Sequence, residues 1–248
     1  MMRTVEPIGR MTPFGTEHLS MLLLTVLASI IVVLIGRRIR GTAHEPTVLD
    51  ATGWTLLSVT VLWTAWGMSP GQWNIDQSLP VQFSDVLRFI TSIALLTRAR
   101  WAIAISYYWG LTLNVQSILT PDLNYYSLPT LEFVAYWFLH IVVFVVPIGL
   151  VWGLGHRPTW RGYGIALAAA FVWAGVAIAV NTLTGANYAY LSQAPAGPSA
   201  LDLLGPWPIY ILWEAVLVAV VWALMTWPWT RRRRHPHREP RSLSPRRG

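Results

Sequence analysis

Seven apolar segments constrain the fold of this 248-residue chain more than any other feature. A helix needs about 20 predominantly apolar residues to cross the hydrocarbon core of a bilayer. The segments that meet this length are Glu17–Gly36, Val48–Met68, Leu79–Thr97, Trp101–Leu119, Leu131–Gly153, Tyr163–Thr184 and Pro208–Trp229. They predict an all-α fold, a polytopic membrane bundle of seven transmembrane helices over residues 17–229, with a short segment before it and a basic tail after it.

The arginines predict how this bundle is oriented in the membrane. The connections after segments 1, 3 and 5 and the tail after segment 7 carry Arg37, Arg38, Arg40, Arg98, Arg100, Arg157, Arg161 and the run at 231–234. The connections after segments 2, 4 and 6 carry none. Because basic residues concentrate on the cytoplasmic side, we expect an outer N-terminus at residues 1–16 and a cytoplasmic C-terminus at 230–248.

The basic tail also accounts for the charge of the chain. The formal net charge is +7, and residues 231–248 hold eight arginines and one glutamate, so the rest of the chain is neutral. A charge confined to one end of a membrane protein favours a disordered segment that binds anionic lipid. We therefore expect membrane lipids as partners and no nucleic acid.

Two residue types are missing from the sequence, and both exclude classes of function. The chain has no cysteine, which rules out disulfides, a thiol nucleophile and a cysteine-ligated metal. All 18 basic residues are arginine, so no lysine is present to form a Schiff base with retinal. No cofactor and no metal site are expected.

The polar residues of the predicted helices concentrate in their outer halves. With the orientation above, this set comprises His18, Gln82, Ser84, Asp85, Asn114, Gln116, Glu132, His140, Asn181 and Glu214. Ionisable groups within a bilayer normally face the bundle interior or a wet cavity, because exposure to lipid is costly. We therefore expect a polar pocket that opens to the outer side and is closed below by apolar residues, with the long connection before segment 7 as its lid.

The stretch LPVQFSD and the arginine that follows it supply the most chemistry. On a helix Arg88 lies three residues from Asp85 and four from Ser84, so it can contact both, and Pro80 fits the first turn. The simpler interpretation is structural, since the two charges neutralise each other and a helical serine bonds to a carbonyl one turn earlier. The alternative is that Ser84 becomes a nucleophile with His140 as its base.

Several motifs resemble a known family. They are FGTEHL at 14–19, LPVQFSD at 79–85, YYWGLTLNVQSILTPDL at 107–123, His140, and NTLTGANYAYL with LDLLGPWP within 181–208. Together they resemble the YwaF-like integral membrane proteins of bacteria, which are similar to an animal endoplasmic-reticulum acyltransferase of ether phospholipids. More remotely, they resemble the androgen-induced hydrolases of fatty-acid esters.

This resemblance implies a multi-pass protein of the bacterial plasma membrane with a nucleophile and a histidine. Relatives commonly carry cysteine at the position of Ser84, and the ester-hydrolysing relatives use threonine with histidine. Ser84 and His140 match these two positions. The leading hypothesis is therefore acyl transfer or ester hydrolysis on a lipid, with Asn114, Gln116 or Asn181 as oxyanion donors and Arg88 near a lipid phosphate.

Two other classes of function remain open from the sequence. A binder or transporter would use the same pocket without chemistry, and its mark would be a His140 bonded within the bundle rather than to Ser84. A metal-dependent hydrolase of the ceramidase-like type would need three histidines, but only His18 and His140 are expected near the pocket.

Overall fold

The protein is described here by a computed structural model, and the described residues are 7–194 and 203–230. The helices of this part are α1 Thr16–Ile39, α2 His44–Gly67, α3 Phe83–Thr97, α4 Arg100–Leu111, α5 Leu113–Leu119, α6 Pro129–Ile148, α7 Trp160–Thr184 and α8 Ile209–Thr230. A π-helical turn, Gly149–Gly153, extends α6, and the short strands β1 Gly9–Arg10 and β2 Asn124–Tyr125 pair antiparallel. The expected basic tail at 231–248 lies outside the described residues.

Among the described residues, five helices are long and apolar enough to cross a membrane. They are α1, α2, α6 with its π-helical turn, α7 and α8. The predicted segments 79–97 and 101–119 differ from expectation. The helix α3 has 15 residues, a rise of about 22 Å against a hydrocarbon core of about 30 Å, and α4 is separated from α5 at Thr112. The chain is thus an all-α membrane protein with helices of unequal length.

Residues 79–82 form a turn before α3, so the helix begins at Phe83 rather than at Leu79. The Val81 carbonyl accepts a hydrogen bond from the Trp173 indole N–H at 2.8 Å, and the Leu79 N–H donates to the Tyr188 hydroxyl at 3.0 Å. Pro80 therefore precedes the helix, and its expected place in the first turn is wrong, because tertiary bonds to α7 and the turn after it hold this backbone.

The break at Thr112 connects α4, α5 and α8. Its backbone departs from helical angles, with φ −130° and ψ −73°. Its hydroxyl donates to the Tyr108 carbonyl at 2.5 Å and accepts the indole N–H of Trp222 at 2.9 Å. One turn further along α8, the Thr226 hydroxyl lies 2.6 Å from the Tyr108 hydroxyl. The break is thus supported by polar bonds within the bundle, as a membrane helix requires.

A glycine allows α4 to lie close to α6. A Cβ atom at Gly110 would be 2.5 Å from the Val143 carbonyl oxygen, so no other residue fits without movement. Pro147, four residues after Val143, has no N–H to donate to that carbonyl. Small residues at such contacts let membrane helices approach closely. This approach is what brings the residues after α4 next to His140.

The connections meet at the two ends of the bundle. At one end β1 pairs with β2, Gln72 bonds Ser127, and the Tyr188 hydroxyl bonds the Ile75 carbonyl. At the other end Trp152 contacts Trp229, and Arg98 pairs with Asp50 at 2.7 Å. The first described residues and the end of α8 therefore lie at opposite ends of the bundle.

Candidate functional site

A cavity of about 1390 Å³ lies within the bundle. Its walls come from α2, α3, α5, α6, α7 and α8, and the connections at 72–78 and 187–194 also contribute. Pockets for drug-sized ligands have volumes of about 300 to 1,000 Å³. This cavity can therefore hold a ligand larger than a typical small molecule.

Eight of the residues proposed from the sequence line this cavity. They are Gln82, Ser84, Asp85, Arg88, Gln116, Glu132, His140 and Glu214. They come from α3 and the residue before it, α5, α6 and α8, which the fold brings together at one place. Ser84 and His140 thus share a cavity, although no hydrogen bond joins their side chains within the described part of the chain.

The other three residues do not line the cavity, because each is bonded inside the bundle. His18 is fully buried, accepts the Phe14 N–H on Nδ1 at 2.8 Å, and bonds the Ile118 carbonyl through Nε2 at 2.8 Å. It therefore joins α1 to α5. Asn181 accepts the Tyr188 N–H at 2.8 Å and donates to the Tyr188 carbonyl at 3.1 Å, which shapes the turn after α7.

Asn114, the third of these residues, lies behind His140. Its amide N–H donates to the His140 carbonyl at 2.9 Å, and its Oδ1 lies 2.7 Å from His140 Nδ1. The first bond fixes which end of the amide is the oxygen, so Nδ1 must carry the proton that Oδ1 accepts. This assignment of the tautomer leaves Nε2 as the unprotonated ring nitrogen. Asn114 orients a histidine and does not occupy the oxyanion position proposed from the sequence.

The Ser84 hydroxyl differs from most other helical hydroxyls of this protein. Those of Thr25, Ser92 and Thr182 donate to the carbonyl four residues earlier, which is the usual arrangement in membrane helices. Ser84 is the second residue of α3 and makes no hydrogen bond to any described residue. The structural interpretation of this serine as a back-bonded hydroxyl is therefore wrong.

Other polar side chains of the cavity also have no hydrogen-bond or ion-pair partner among the described residues, among them Gln82, Gln116 and Glu214. Polar groups inside a membrane protein are normally satisfied by other protein groups. Their concentration at one cavity marks it as the place where a ligand or water completes the bonding.

Asp85 and Arg88 form an ion pair through Oδ1 and Nη2 at the cavity wall. Both side chains are nearly buried, at 13% and 7% exposed, and the Arg88 Nε has no partner within 7–194 and 203–230. The expected pairing on α3 is present. One guanidinium nitrogen remains without a hydrogen-bond acceptor beside the cavity.

Two aromatic residues of the site were not singled out as site residues from the sequence. The Tyr136 ring lies 4.3 Å from the His140 ring, and its hydroxyl donates to the Ser117 carbonyl at 2.8 Å. Trp173 lines the cavity and holds the backbone before α3. A tryptophan in the middle of an apolar segment, away from the interface where tryptophans are common, was the available signal.

No three His, Asp or Glu side chains lie close enough to hold a metal ion anywhere in the described ranges 7–194 and 203–230. His140 Nδ1 is hydrogen-bonded to Asn114, and His18 is bonded to the backbone at both ring nitrogens. The carboxylate and guanidinium groups that line the cavity are those of Asp76, Asp85, Arg88, Asp122, Glu132 and Glu214.

The fold defines a multi-pass α-helical membrane protein. The model of the TMEM164 family matches residues 13–226, and the chain belongs to this family of membrane proteins. No curated protein and no solved structure matches the chain significantly. Membership of this family shows that the chain is a membrane protein and does not assign it a reaction.

The Asp85–Arg88 pair can be tested through stability. We expect Arg88→Met to lower the free energy of unfolding by about 3–5 kcal/mol, because it leaves a buried carboxylate without its partner. The double variant Asp85→Leu with Arg88→Met should recover most of this loss. Unfolding of the purified protein in detergent micelles, followed by tryptophan fluorescence, gives both values.

The exposed pair of Arg10 and Asp122 provides the control, since its side chains are 62% and 57% exposed. Arg10→Ala should change stability by about 1 kcal/mol or less. An effect of Arg88→Met no larger than that of Arg10→Ala would show that the pair on α3 is not a buried ion pair.

Proposed function

We propose that this protein is a membrane-embedded enzyme that transfers or hydrolyses an ester-linked acyl group of a lipid. Ser84 is the nucleophile, and His140 is its base. The observation that carries the proposal is the pair of hydrogen bonds between Asn114 and His140, which supports a single neutral tautomer with its free nitrogen at Nε2. A serine nucleophile needs such a base, itself oriented by a third group.

Three properties of Ser84 support its role. Its hydroxyl has no partner among the described residues, it lines the same cavity as His140, and it lies in the first turn of α3. The positive end of a helix dipole favours negative charge developing nearby. The hydroxyl makes no hydrogen bond to His140 in this structure, and catalytic hydrogen bonds often tighten only when substrate is bound.

The reaction has two steps. Ser84 Oγ attacks the acyl carbonyl carbon while its proton passes to His140 Nε2, and collapse of the tetrahedral intermediate breaks the bond to the leaving alcohol, which takes that proton. Water or the hydroxyl of an acceptor lipid then attacks the acyl-serine while its own proton passes to His140 Nε2. The bond from Oγ to the acyl carbon breaks, Oγ takes this proton, and the product is a fatty acid or a new ester. Gln82 and Gln116, whose amides have no partner among the described residues, are the candidate donors to the oxyanion.

The proposal includes the arrangement in the membrane. All seven segments cross, with the N-terminus outside, the C-terminus in the cytoplasm and the cavity towards the outer side. The alternating arginines support this orientation. The short helix α3 and the break between α4 and α5 are compatible with a membrane, because both adjoin the cavity rather than lipid alone.

A non-enzymatic binder or transporter is the second candidate function. The observation that favours it is the lack of a hydrogen bond between Ser84 and His140, together with the bond from His140 to Asn114. In this case the unpartnered groups of the cavity bind a ligand without forming a covalent bond. Covalent labelling of Ser84 distinguishes the two candidates.

Replacement of Ser84 tests the nucleophile. We expect an alkyl fluorophosphonate to label the wild-type protein in micelles, and Ser84→Ala to abolish the labelling. Ser92→Ala is the matched control on the same helix, because the Ser92 hydroxyl is buried and bonded to the Arg88 carbonyl. His140→Ala should slow labelling by about 10²- to 10⁴-fold, the usual contribution of a general base.

Mass spectrometry of the labelled peptide gives the result directly. Labelling that survives Ser84→Ala contradicts the assignment. Lipid binding by a wild-type protein that is not labelled and releases no fatty acid from a phospholipid panel supports the binder instead.

The orienting role of Asn114 is tested in a variant in which cysteine replaces Ser84. The chain has no cysteine, so Ser84→Cys introduces the single reactive thiol, and a neighbouring histidine accelerates alkylation by stabilising the thiolate. Adding Asn114→Leu should lower the rate at which iodoacetamide alkylates this thiol at pH 7 by about tenfold or more. Asn114→Asp keeps an acceptor for Nδ1 and should restore most of the rate.

Ser92→Ala in the same background should leave the rate unchanged. A rate that does not respond to Asn114→Leu would mean that Asn114 supports only the packing of α5 on α6.

The orientation is tested with single cysteines at the two ends of the bundle. Gly71→Cys adds an exposed thiol in the connection after α2, where nothing lies within 4 Å of the new side chain. Ala43→Cys adds an exposed thiol in the connection after α1. A membrane-impermeant maleimide added to intact cells should modify position 71 and reach position 43 only after permeabilisation. The reverse pattern would invert the proposed orientation.

A further inference from the structure

The cavity reaches the outer surface of the bundle between α7 and α8. Phe171, Ile178 and Leu217 line the cavity and are also 59%, 44% and 52% exposed. A side chain that lines a cavity and is exposed on the outside of the bundle lies at the mouth of that cavity. In a membrane protein this surface of two long apolar helices faces lipid.

The helix α8 is held at its ends and open between them. At one end Thr226 bonds Tyr108 of α4 and Trp222 bonds Thr112 directly after α4. At the other end Tyr210 donates to the carbonyls of Tyr190 and Gln193. Between these ends, residues 211–221 make no side-chain hydrogen bond to another described segment. Most of the residues of this stretch that line the cavity are apolar. The opening between α7 and α8 therefore lies along the middle of α8, and polar contacts hold α8 at both ends of the opening.

Small residues make room at this opening. Ala170, Ala174 and Gly175 on α7 and Ala215 on α8 line the cavity. The opposite wall carries the polar groups of α3 and α6. The cavity therefore has a mostly apolar side towards the bilayer, on which Glu214 is the charged exception, and a polar side inside the bundle. Its volume exceeds that of ordinary small-molecule pockets.

We propose that a fatty acyl chain of a bilayer lipid enters sideways between α7 and α8 and lies against Ala174 and Ala215, with its ester towards Ser84. The occupant is a lipid chain because the opening faces the hydrocarbon region, the lining residues of α7 and α8 are apolar apart from Glu214 and the Trp173 indole, and most of the groups that bind a polar head lie on the far wall. The reaction of that ester rests on the proposed function, whereas occupancy by the chain does not.

Bulky residues at the opening should block it. Ala174→Trp and Ala215→Trp are the test variants, and Val172→Trp and Val216→Trp are matched controls on exposed positions that do not line the cavity. The readout is photo-cross-linking in vesicles of a phosphatidylcholine that carries a diazirine in its acyl chain. We expect cross-links on the cavity sides of α7 and α8, reduced about tenfold or more by the test variants and unchanged by the controls.

A short, water-soluble fluorophosphonate separates this proposal from the enzyme assignment. It should label Ser84 equally in the wild type and in the test variants, because it need not pass between α7 and α8. Equal cross-linking in test and control variants overturns the lateral entry. Cross-linking at the opening without any labelling of Ser84 supports the acyl-chain site and overturns the enzyme assignment.

A measurement on the wild-type protein covers the case in which a tryptophan variant does not fold. Unlabelled phosphatidylcholine with long acyl chains should compete for cross-linking at the opening, and phosphatidylcholine with short acyl chains should compete at least about tenfold less well, because less apolar surface is buried. Equal competition by both lipids would show that the opening does not bind the chain.

Discussion

The site depends on the two hydrogen bonds that the Thr112 hydroxyl makes. This hydroxyl bonds the Tyr108 carbonyl and the Trp222 indole at the point where α4 ends and α5 begins. A break in a membrane helix leaves backbone groups that only the protein can satisfy, so it persists where side chains supply the bonds. Because the chain changes direction here, Asn114 reaches His140, and because Trp222 is held here, α8 closes one end of the cavity.

The distribution of satisfied polar groups separates structural residues from site residues. His18, Asn181 and Glu132 are hydrogen-bonded within the protein, with the Glu132 carboxylate accepting the N–H groups of Tyr126 and Ser127. These residues tie connections to helices at one end of the bundle. The cavity, which Glu132 also lines, in addition holds groups without partners among the described residues, among them Ser84 and Glu214. In a solvent that offers no hydrogen bonds, such a difference is expensive to maintain and therefore points to a ligand.

Much of the fold could be predicted from the sequence, because the length of an apolar helix must match the thickness of the hydrocarbon core. Each predicted segment contains a helix, and the polar residues proposed for the site lie in the part of the bundle that holds the cavity. The direction in which a residue faces around its helix was not available, so His18 and Asn181 were placed in the pocket although they bond away from it. The late start of α3 depends on Trp173 and Tyr188, which are more than ninety residues away in the chain. Local sequence therefore cannot predict it.

A neutral residue as the orienting partner of His140 suits a site inside a membrane. An aspartate in the place of Asn114 would stabilise a protonated imidazole more strongly, but it would bury another charge beside Asp85 and Arg88. An amide orients the ring through one hydrogen bond to Nδ1 and a second to the His140 backbone carbonyl at no such cost. It stabilises the positive charge that develops on the ring less than a carboxylate would. The same reasoning makes position 84 informative. A serine hydroxyl needs its base more than a cysteine thiol does, so a chain with serine at this position depends strongly on the orientation that Asn114 supplies.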